Sequence, residues 1–438
     1  MTGGRWPVPK SWEWVSAKDI ATIVGGGTPK ANDPENFSND GIKWITPADL
    51  TGYSSAYISG GRRDLSEKGY SSSGASLLPK GTVLFTSRAP VGYCVIAANK
   101  ISTNQGFKSL VLEGNISPEF IRHYLLASKE YAESLASGTT FLELSGKRMG
   151  ELQIPLPPLA EQRRIVHKLD RLTAHSTTAR THLTALKTLV ERYRLAIIDN
   201  AFSMLDLSIP LIEAVEKDRG IPYGIVQTGK HTSGGVPTVR AGDIKQFTVG
   251  KDALKLVSKN VSDQYARTIL RGGEVLIAIR GSVGETCVVP KDMAGCNISR
   301  EVALVPVRDG FDARFVMFFL KSQRATEFIR VNVKGIAQTG INLRDLRKLL
   351  LPALEYEEQR EIVRRIDAAF ARIDLLAGEA ERALKLLGHL DQRILERAFC
   401  GGLVSQNPED EPAAALLARI KTTRAATPAK KRRGRTKA

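Results

Sequence analysis

The sequence predicts a mixed α/β protein, built as an internal two-fold repeat of α+β domains. Two long helices are expected to form an intramolecular antiparallel coiled coil. Three observations lead to this architecture. The texture of the chain alternates twice between Gly/Ser/Thr/Pro-rich segments with short β-like runs and segments almost free of Gly and Pro. The two helical segments align at a constant offset of 197 residues. Each carries apolar residues at alternating steps of four and three, the period of a coiled-coil seam.

Residues 1–155 form the first globular segment, with Thr82–Thr86 as a clear β run. Trp6, Trp12, Trp14 and Trp44 all fall in its first 44 residues and are expected to serve core packing. Residues 156–205 read as one long helix. Residues 206–352 return to the first texture, with the strand VLIAI at 275–279. Residues 353–403 return to the helical texture, which up to residue 400 is interrupted only by Gly378 and Gly388. LAEQRRIVHKLDRL (159–172) aligns with YEEQREIVRRIDAA (356–369), and Phe202 meets Phe399. In the globular segments KGTVLFTSRAPVGYC (80–94) resembles GGEVLIAIRGSVGETC (272–287), with Arg88 opposite Arg280, and ITPADL (45–50) resembles VRAGDI (239–244). Similar frames with different loops suggest one task performed on two different targets.

The expected seam runs through Ile165, Leu169, Leu172, Leu183, Leu186, Val190 and Ile197, with Ser176, Ala179 and Tyr193 between them. On the second helix it runs through Ile362, Ile366, Ile373, Leu376, Leu387, Leu390 and Ile394, with Ala369, Ala380 and Ala383 between them. Helices of about 44 residues are about 65 Å long. Pairing within the chain is favoured over pairing with partner chains, because one molecule holds both helices at high effective concentration.

The chain has 438 residues, 63 Lys and Arg against 46 Asp and Glu, and a net charge of +17. This length is too great for one ordinary domain, and the charge points to a polyanionic partner. The excess is uneven: +2 in residues 1–155, +4 in 156–205, +7 in 206–352, −2 in 353–403 and +6 in 404–438. The last segment, ending KKRRGRTKA, has little to bury and is expected to be a mobile tail. No apolar run approaches the length of a membrane span. The N-terminus has no secretory pattern, and four scattered cysteines without a CxxC pair suggest a reducing cytosol.

Catalytic signatures are absent. Gly224, Gly229 and Lys230 approximate a nucleotide-phosphate loop, but His231 stands where Mg²⁺ ligation needs Ser or Thr, and no helix can follow. Gly25–Gly27 is followed by Thr28-Pro29 and a polar stretch, not the helix of a dinucleotide or methyl-donor loop. The six histidines show no metal-ligand spacing. No catalytic residue and no metal site are expected, and the chain reads as a binder.

Several stretches resemble the DNA-specificity subunit of type I restriction-modification systems, over essentially residues 5–403. They are VPKSWEWVSAKDIATIVGGGTPK, KWITPADL and STNQGFKSL in the first half. IPYGIVQTG, VPTVRAGDI and IAQTGINLRDLRKLLLP stand in the second, with the two EQR-x-IV helix starts. The resemblance implies that each globular domain is a target-recognition domain reading one half of a split, asymmetric site on double-stranded DNA. It implies that the paired helices set the spacing and dock two methyltransferase subunits. Those subunits, not this chain, would bind S-adenosylmethionine. Motor-nuclease subunits, with ATP and Mg²⁺, would add restriction. The resemblance does not cover the segment after 404. Two other readings stay open at this point: a self-contained DNA-modifying enzyme with an unrecognised site, and a coiled-coil scaffold.

Phosphate contacts call for Lys, Arg, Ser and Thr, and base readout for Arg, Lys, Asn and Gln. On the first domain the candidates are Thr28, Lys30, Lys43, Arg88, Asn104, Gln105, Lys108, Thr139, Thr140, Lys147 and Arg148. On the second they are Tyr223, Gln227, Thr228, Lys230, His231, Arg240, Arg280, Asn297, Arg300, Gln338, Thr339, Asn342 and Arg344. Glu161, Gln162 and Arg163 open one helix and Glu358, Gln359 and Arg360 the other, as candidates for partner docking or local capping.

Overall fold

The computed structural model describes residues 7–426 apart from 89, 138–141, 246 and 335–339. The chain divides into two units. One holds the residues up to Arg180 with those from Lys385 onward, and the other holds Thr181–Leu384.

In the first unit β1 (Glu13–Ser16) leads into β2 (Ala21–Gly25), and β3 (Trp44–Ile45) and β4 (Tyr57–Ile58) follow. The run predicted at 82–86 becomes β5 (Val83–Ser87), buried at every residue, and β6 (Val91–Ala97) returns antiparallel to it. The strands β7 (Ser102–Thr103) and β8 (Lys108–Leu112) come next. The main sheet has the order β2-β8-β5-β6-β4, and β3 pairs parallel with β7 beside it. Helix α1 (Pro118–Ala127) packs Phe120, Ile121, Tyr124 and Leu125 onto this sheet. Ser117 caps it by accepting from the Phe120 N–H at 3.2 Å, with Pro118 at the first helical position, where no N–H is needed. β9 (Gln153–Leu156) pairs with β1 and leads into α2 (Leu159–Phe202).

The second unit repeats the plan. β10 (Leu207–Pro210) takes the place of β1, then come β11 (Val236–Val239), β12 (Lys255–Val257), β13 (Val275–Ala278), β14 (Thr286–Val288), β15 (Asn297–Ile298) and β16 (Val302–Val305). β11 pairs parallel with β15 as β3 does with β7, and β13 lies between β14 and β16. Helix α3 (Ala313–Lys321) takes the place of α1, capped by Asp312. β17 (Leu350–Pro352) pairs with β10 and leads into α4 (Tyr356–Phe399). The TPAD and RAGD segments resembling each other in sequence form matching 3-10 turns, in which Asp49 and Asp243 each accept the N–H three residues earlier at 2.8 Å. The expected repeat is thus present at the level of individual hydrogen bonds.

Within each unit the long helices run antiparallel. In the first, Ser176 and Arg180 of α2 bond Asp391 of α4 at 2.7 and 2.9 Å. In the second, Lys187 pairs with Glu381 at 3.4 Å and Arg194 with Asp374. Each head is gripped by the start of one helix and the end of the other. Gln162, fully buried, accepts from the Ser117 N–H at 2.9 Å and donates to the Pro157 carbonyl at 2.9 Å, while Phe399 packs edge-on against Phe120 and Tyr124. In the second head Gln359 accepts from the Asp312 N–H at 2.9 Å and donates to Leu354 and Gly310 carbonyls, while Phe202 packs on Phe315 and Phe319.

The seam is narrower than expected. Ile366, Ile373 and Ala380, spaced by seven, are buried, as are Ile165, Leu169 and Ser176. Leu186, Tyr193, Leu376 and Leu390, assigned to the seam from the heptads, are 39%, 64%, 67% and 51% exposed. Two helices cover only one side of an a/d stripe, and the second heptad position is left at its edge.

The segment after 404 also departs from expectation. Residues 404–426 are not a mobile tail: α5 (Ala413–Ala426) buries Ala413, Leu416 and Ile420 in the core of the first unit. The sparse apolar residues at 413, 416 and 420 share one helical face, a signal that the compositional reading passed over. Residues 427–438 lie outside the described residues.

The glutamine clamps generate a prediction. Gln162→Ala or Gln359→Ala leaves a buried backbone N–H without its acceptor, and each should lower stability by about 1–3 kcal/mol in urea unfolding. Unchanged midpoints for both variants would contradict the clamp.

Candidate nucleic-acid interface

In both heads a glycine brings a loop onto the backbone of the short parallel strand. A Cβ on Gly26 would lie 2.0 Å from the Asn104 carbonyl oxygen, and one on Gly224 would lie 1.9 Å from that of Ile298. The glycines read against a cofactor loop are therefore packing glycines. The first sets Thr28 against Gln105, to which its hydroxyl hydrogen-bonds. Asn104 caps its own turn by accepting from the Gly106 N–H at 2.9 Å.

Arg88 follows β5, where the backbone of Leu144 returns to bond Ser87 at 2.9 Å. That return places Glu143 between Arg88, at 3.2 Å, and Lys108, at 3.3 Å. The exposed Lys147 and Arg148 stand on the adjoining short helix Gly146–Glu151, with Arg148 paired to Glu151 at 3.1 Å. Lys43 lies on Asp64 at 2.6 Å, and this bond holds its ammonium above the usual lysine range. Lys30 is exposed. Thr139 and Thr140 lie outside the described residues.

In the second head Arg280 occupies the position of Arg88, and the backbone of Ile341 returns to bond Ile279 at 3.1 Å. Here Arg280, Arg300, Tyr223 and Asn342 line a cavity of about 430 Å³, walled also by Val226 and Leu343. Asn342 caps the helix Leu343–Leu346, which carries Arg344. Gln227, Thr228, Lys230 and His231 form the neighbouring loop. Thr228 accepts from Lys255 at 2.8 Å, and the His231 Nδ1 accepts from the Leu256 N–H at 3.4 Å. Arg240 is held by Asp243, which raises its pKa further. Gln338 and Thr339 lie outside the described residues.

One candidate is withdrawn from the surface. Asn297 is fully buried, donating to the Ser262 hydroxyl at 2.9 Å and accepting from Thr268 at 2.6 Å. It is a core residue because β15 runs beneath the loop at Gly224. Sequence reasoning missed Glu143, the counter-charge of the first head, and the apolar walls Val226 and Leu343, which suit a thymine methyl. Nothing in their spacing marks them, because they converge only through the hairpin returns.

Of the helix-start residues, Arg163, Glu358 and Arg360 are exposed, whereas Gln162 and Gln359 are the buried clamps. Glu161 is buried too, accepting from the Trp12 indole at 2.9 Å and from Gln406, and burial lifts its carboxyl above the ordinary range. Glu358 closes the helix start by accepting from the Glu355 N–H at 2.9 Å. Glu358 thus caps its own helix, and Glu161, Gln162 and Gln359 are engaged in local buried contacts. Among the described residues no group of His, Cys, Asp and Glu is placed to hold a metal ion, and no helix is long and apolar enough to cross a membrane.

Each unit holds an α+β head of the same plan, gripped by the start of one long helix and the end of the other, and comparison with known proteins gives the family. The family model described as the type I restriction modification DNA specificity domain matches twice, at residues 9–188 and 226–385. The chain belongs to this family. It is 29% identical over 470 aligned positions to the EcoBI specificity subunit of Escherichia coli, covering 98% of this chain and 95% of that one. It is 41% identical to the MjaIX specificity subunit of Methanocaldococcus jannaschii over 36% of this chain and 37% of that one. In fold it is similar to a chain from a solved type I R-M assembly, with a TM-score of 0.68 and 21% identity, covering 91% of this chain and all of that one. It is also similar to the HsdS subunit of Thermoanaerobacter tengcongensis, with a TM-score of 0.56 and 21% identity over 92% of this chain and all of that one. The reading as a self-contained modifying enzyme is set aside: the chain is a non-catalytic specificity subunit with two DNA-recognition domains.

The geometry separates surface candidates from core residues. Arg280→Ala and Arg300→Ala should each weaken binding to a cognate duplex by about 10- to 100-fold, with unchanged thermal stability. Asn297→Ala should lower stability by about 1–3 kcal/mol, through the groups left unpaired on Ser262 and Thr268. An Asn297→Ala variant of full stability with lost binding would reverse this assignment.

Proposed function

We propose that each head reads one half of a bipartite, asymmetric sequence in double-stranded DNA, and that the helix pair sets the spacing between the halves. The observation that carries this reading is the match of frames against the mismatch of faces. The heads share sheet plan, clamp and hairpin return, yet one presents Arg88 shielded by Glu143 and the other an open cavity lined by Arg280 and Arg300. A single frame with two different reading surfaces suits two different half-sites.

The helix pair is also the docking element for two methyltransferase subunits. Apolar side chains left open on the helices support this: Leu186, Leu189 and Tyr193 on α2 and Leu375, Leu376, Leu386 and Leu390 on α4 are exposed large apolar side chains. Such rows mark protein–protein contact in a soluble subunit. The methyltransferase partners carry S-adenosylmethionine and perform the adenine methylation. Motor-nuclease partners, with ATP and Mg²⁺, add cleavage. The chain itself supplies position and specificity.

Replacing residues 206–352 with the corresponding segment of a relative, in a host carrying the modification subunits, tests the reading. Sequencing of methylated DNA should show one half-site changed, with the other half and the spacer retained. A change in both halves, or in neither, would contradict one head per half-site.

A further inference from the structure

We propose that Phe247 is a positioning residue of the second head: its ring latches the reading side of that head to the helix pair. The inference rests on the reading above, in which the helix pair sets the half-site spacing. It adds a side chain on which that spacing depends.

The sequence places the latch in a turn. Behind the matching 3-10 turns the first head continues Thr51-Gly52-Tyr53, and the second Lys245-Gln246-Phe247. Lys245 and Thr248 exchange both backbone hydrogen bonds, at 3.0 and 2.9 Å, and so close the tight loop that carries Phe247. Phe247 has a φ of +65°, the left-handed conformation that a Cβ resists and glycine adopts freely.

The ring accounts for this conformation. It lies 5.7 Å from the ring of Phe318 on α3 and 5.8 Å from that of Phe370 on α4, and those two lie 5.7 Å apart. The three rings form a closed triangle between the loop, the head helix and the long helix. Arginines flank it. Arg194 of α2 lies over Phe370 at 5.6 Å and pairs with Asp374. Arg314 lies over Phe318 at 5.5 Å and pairs with Asp367 of α4 at 2.6 Å. Both long helices thus take part.

A second attachment changes what the joint permits. Gln359 fixes the head at the start of α4, and rotation about that point remains open. Phe370 stands three helical turns further along α4, about 16 Å away, so a ring held there blocks the rotation. The latched turn also bears on the reading cavity. Arg240 and Ala241 stand at its start, and a Cβ on Gly281, next to Arg280, would lie 3.8 Å from the Ala241 methyl.

The first head is built differently at the same places. Thr173 stands where α4 has Phe370, and His123 where α3 has Phe318. Tyr53, at the place of Phe247, is exposed, and its hydroxyl donates to the Tyr57 carbonyl at 2.7 Å. A polar tie is kept: His123 meets Asp170 at 2.9 Å, as Arg314 meets Asp367 in the second head. One base pair more or less between half-sites shifts one of them by about 3.4 Å and turns it by about 35°. A latched head rejects that turn, and a freed head follows it.

The test uses the full chain together with its modification subunits. Affinity is measured for duplexes whose spacer is native, or one base pair longer or shorter. Phe247→Gly removes the ring and suits the left-handed backbone. Phe370→Thr removes the other side of the latch and brings in the residue that α2 has there. The latch predicts that each variant narrows the affinity gap between native and altered spacers by about tenfold. The bases of both half-sites should be retained. Phe247→Tyr, which keeps a ring, and Tyr53→Gly in the first head should both leave the gap as it is. The two latch variants act on opposite sides of the triangle, so either one that keeps its thermal unfolding midpoint decides. An unchanged gap, or an equal loss of affinity for every spacer, would make the ring a packing residue only and overturn the proposal. Equal narrowing by Tyr53→Gly would contradict a latch on the second head alone. An unaltered chain that binds every spacer equally would instead overturn the reading on which the latch rests.

Discussion

A buried glutamine at the start of each long helix is the constraint on which the rest of the structure depends. Gln162 and Gln359 each spend their carbonyl on the N–H of the residue capping a head's helix and their amide on the carbonyl just before their own helix. A buried amide satisfied on both sides has one geometry, because leaving either side unpaired costs on the order of 1–3 kcal/mol. Phe202 and Phe399 then close each joint from the end of the opposite helix. With each head fixed at two helix ends, the helices have to run antiparallel in both units. The repeat in the sequence is therefore the trace of a repeated joint.

Much of this was legible from residues alone. The offset of 197 predicted the two domains and the two helices, and the helix bounds fall within a few residues of expectation. Heptad spacing predicted pairing but not its width, since spacing cannot say how much of an apolar stripe a single partner covers. Leu376 and Leu390 were assigned to the interior for that reason. Composition misread residues 404–426, because three apolar residues on one face of a short helix barely alter an average. The buried glutamines stood in plain view as part of two matching EQR motifs, but only the capping N–H groups of Ser117 and Asp312 reveal their purpose, and those lie some 45 residues away in sequence.

The reading surfaces were less legible. Residue type predicted which side chains suit phosphate and bases, and Arg88 and Arg280 do stand at equivalent strand ends. What distinguishes them is the hairpin return, which brings Glu143 to one and a cavity to the other. Such convergence is set by tertiary structure. Asn297 illustrates the converse: its type suits adenine, yet its strand lies beneath a loop and its amide is consumed by Ser262 and Thr268.

The two heads thus share a scaffold and differ in electrostatics, and the account stands or falls on whether they read independently. The most direct measurement is selection of bound duplexes from a randomised library by the full chain together with its modification subunits. The account predicts two unlike short motifs, separated by unspecified bases of constant number. A single contiguous motif, or two motifs at freely varying separation, would contradict it.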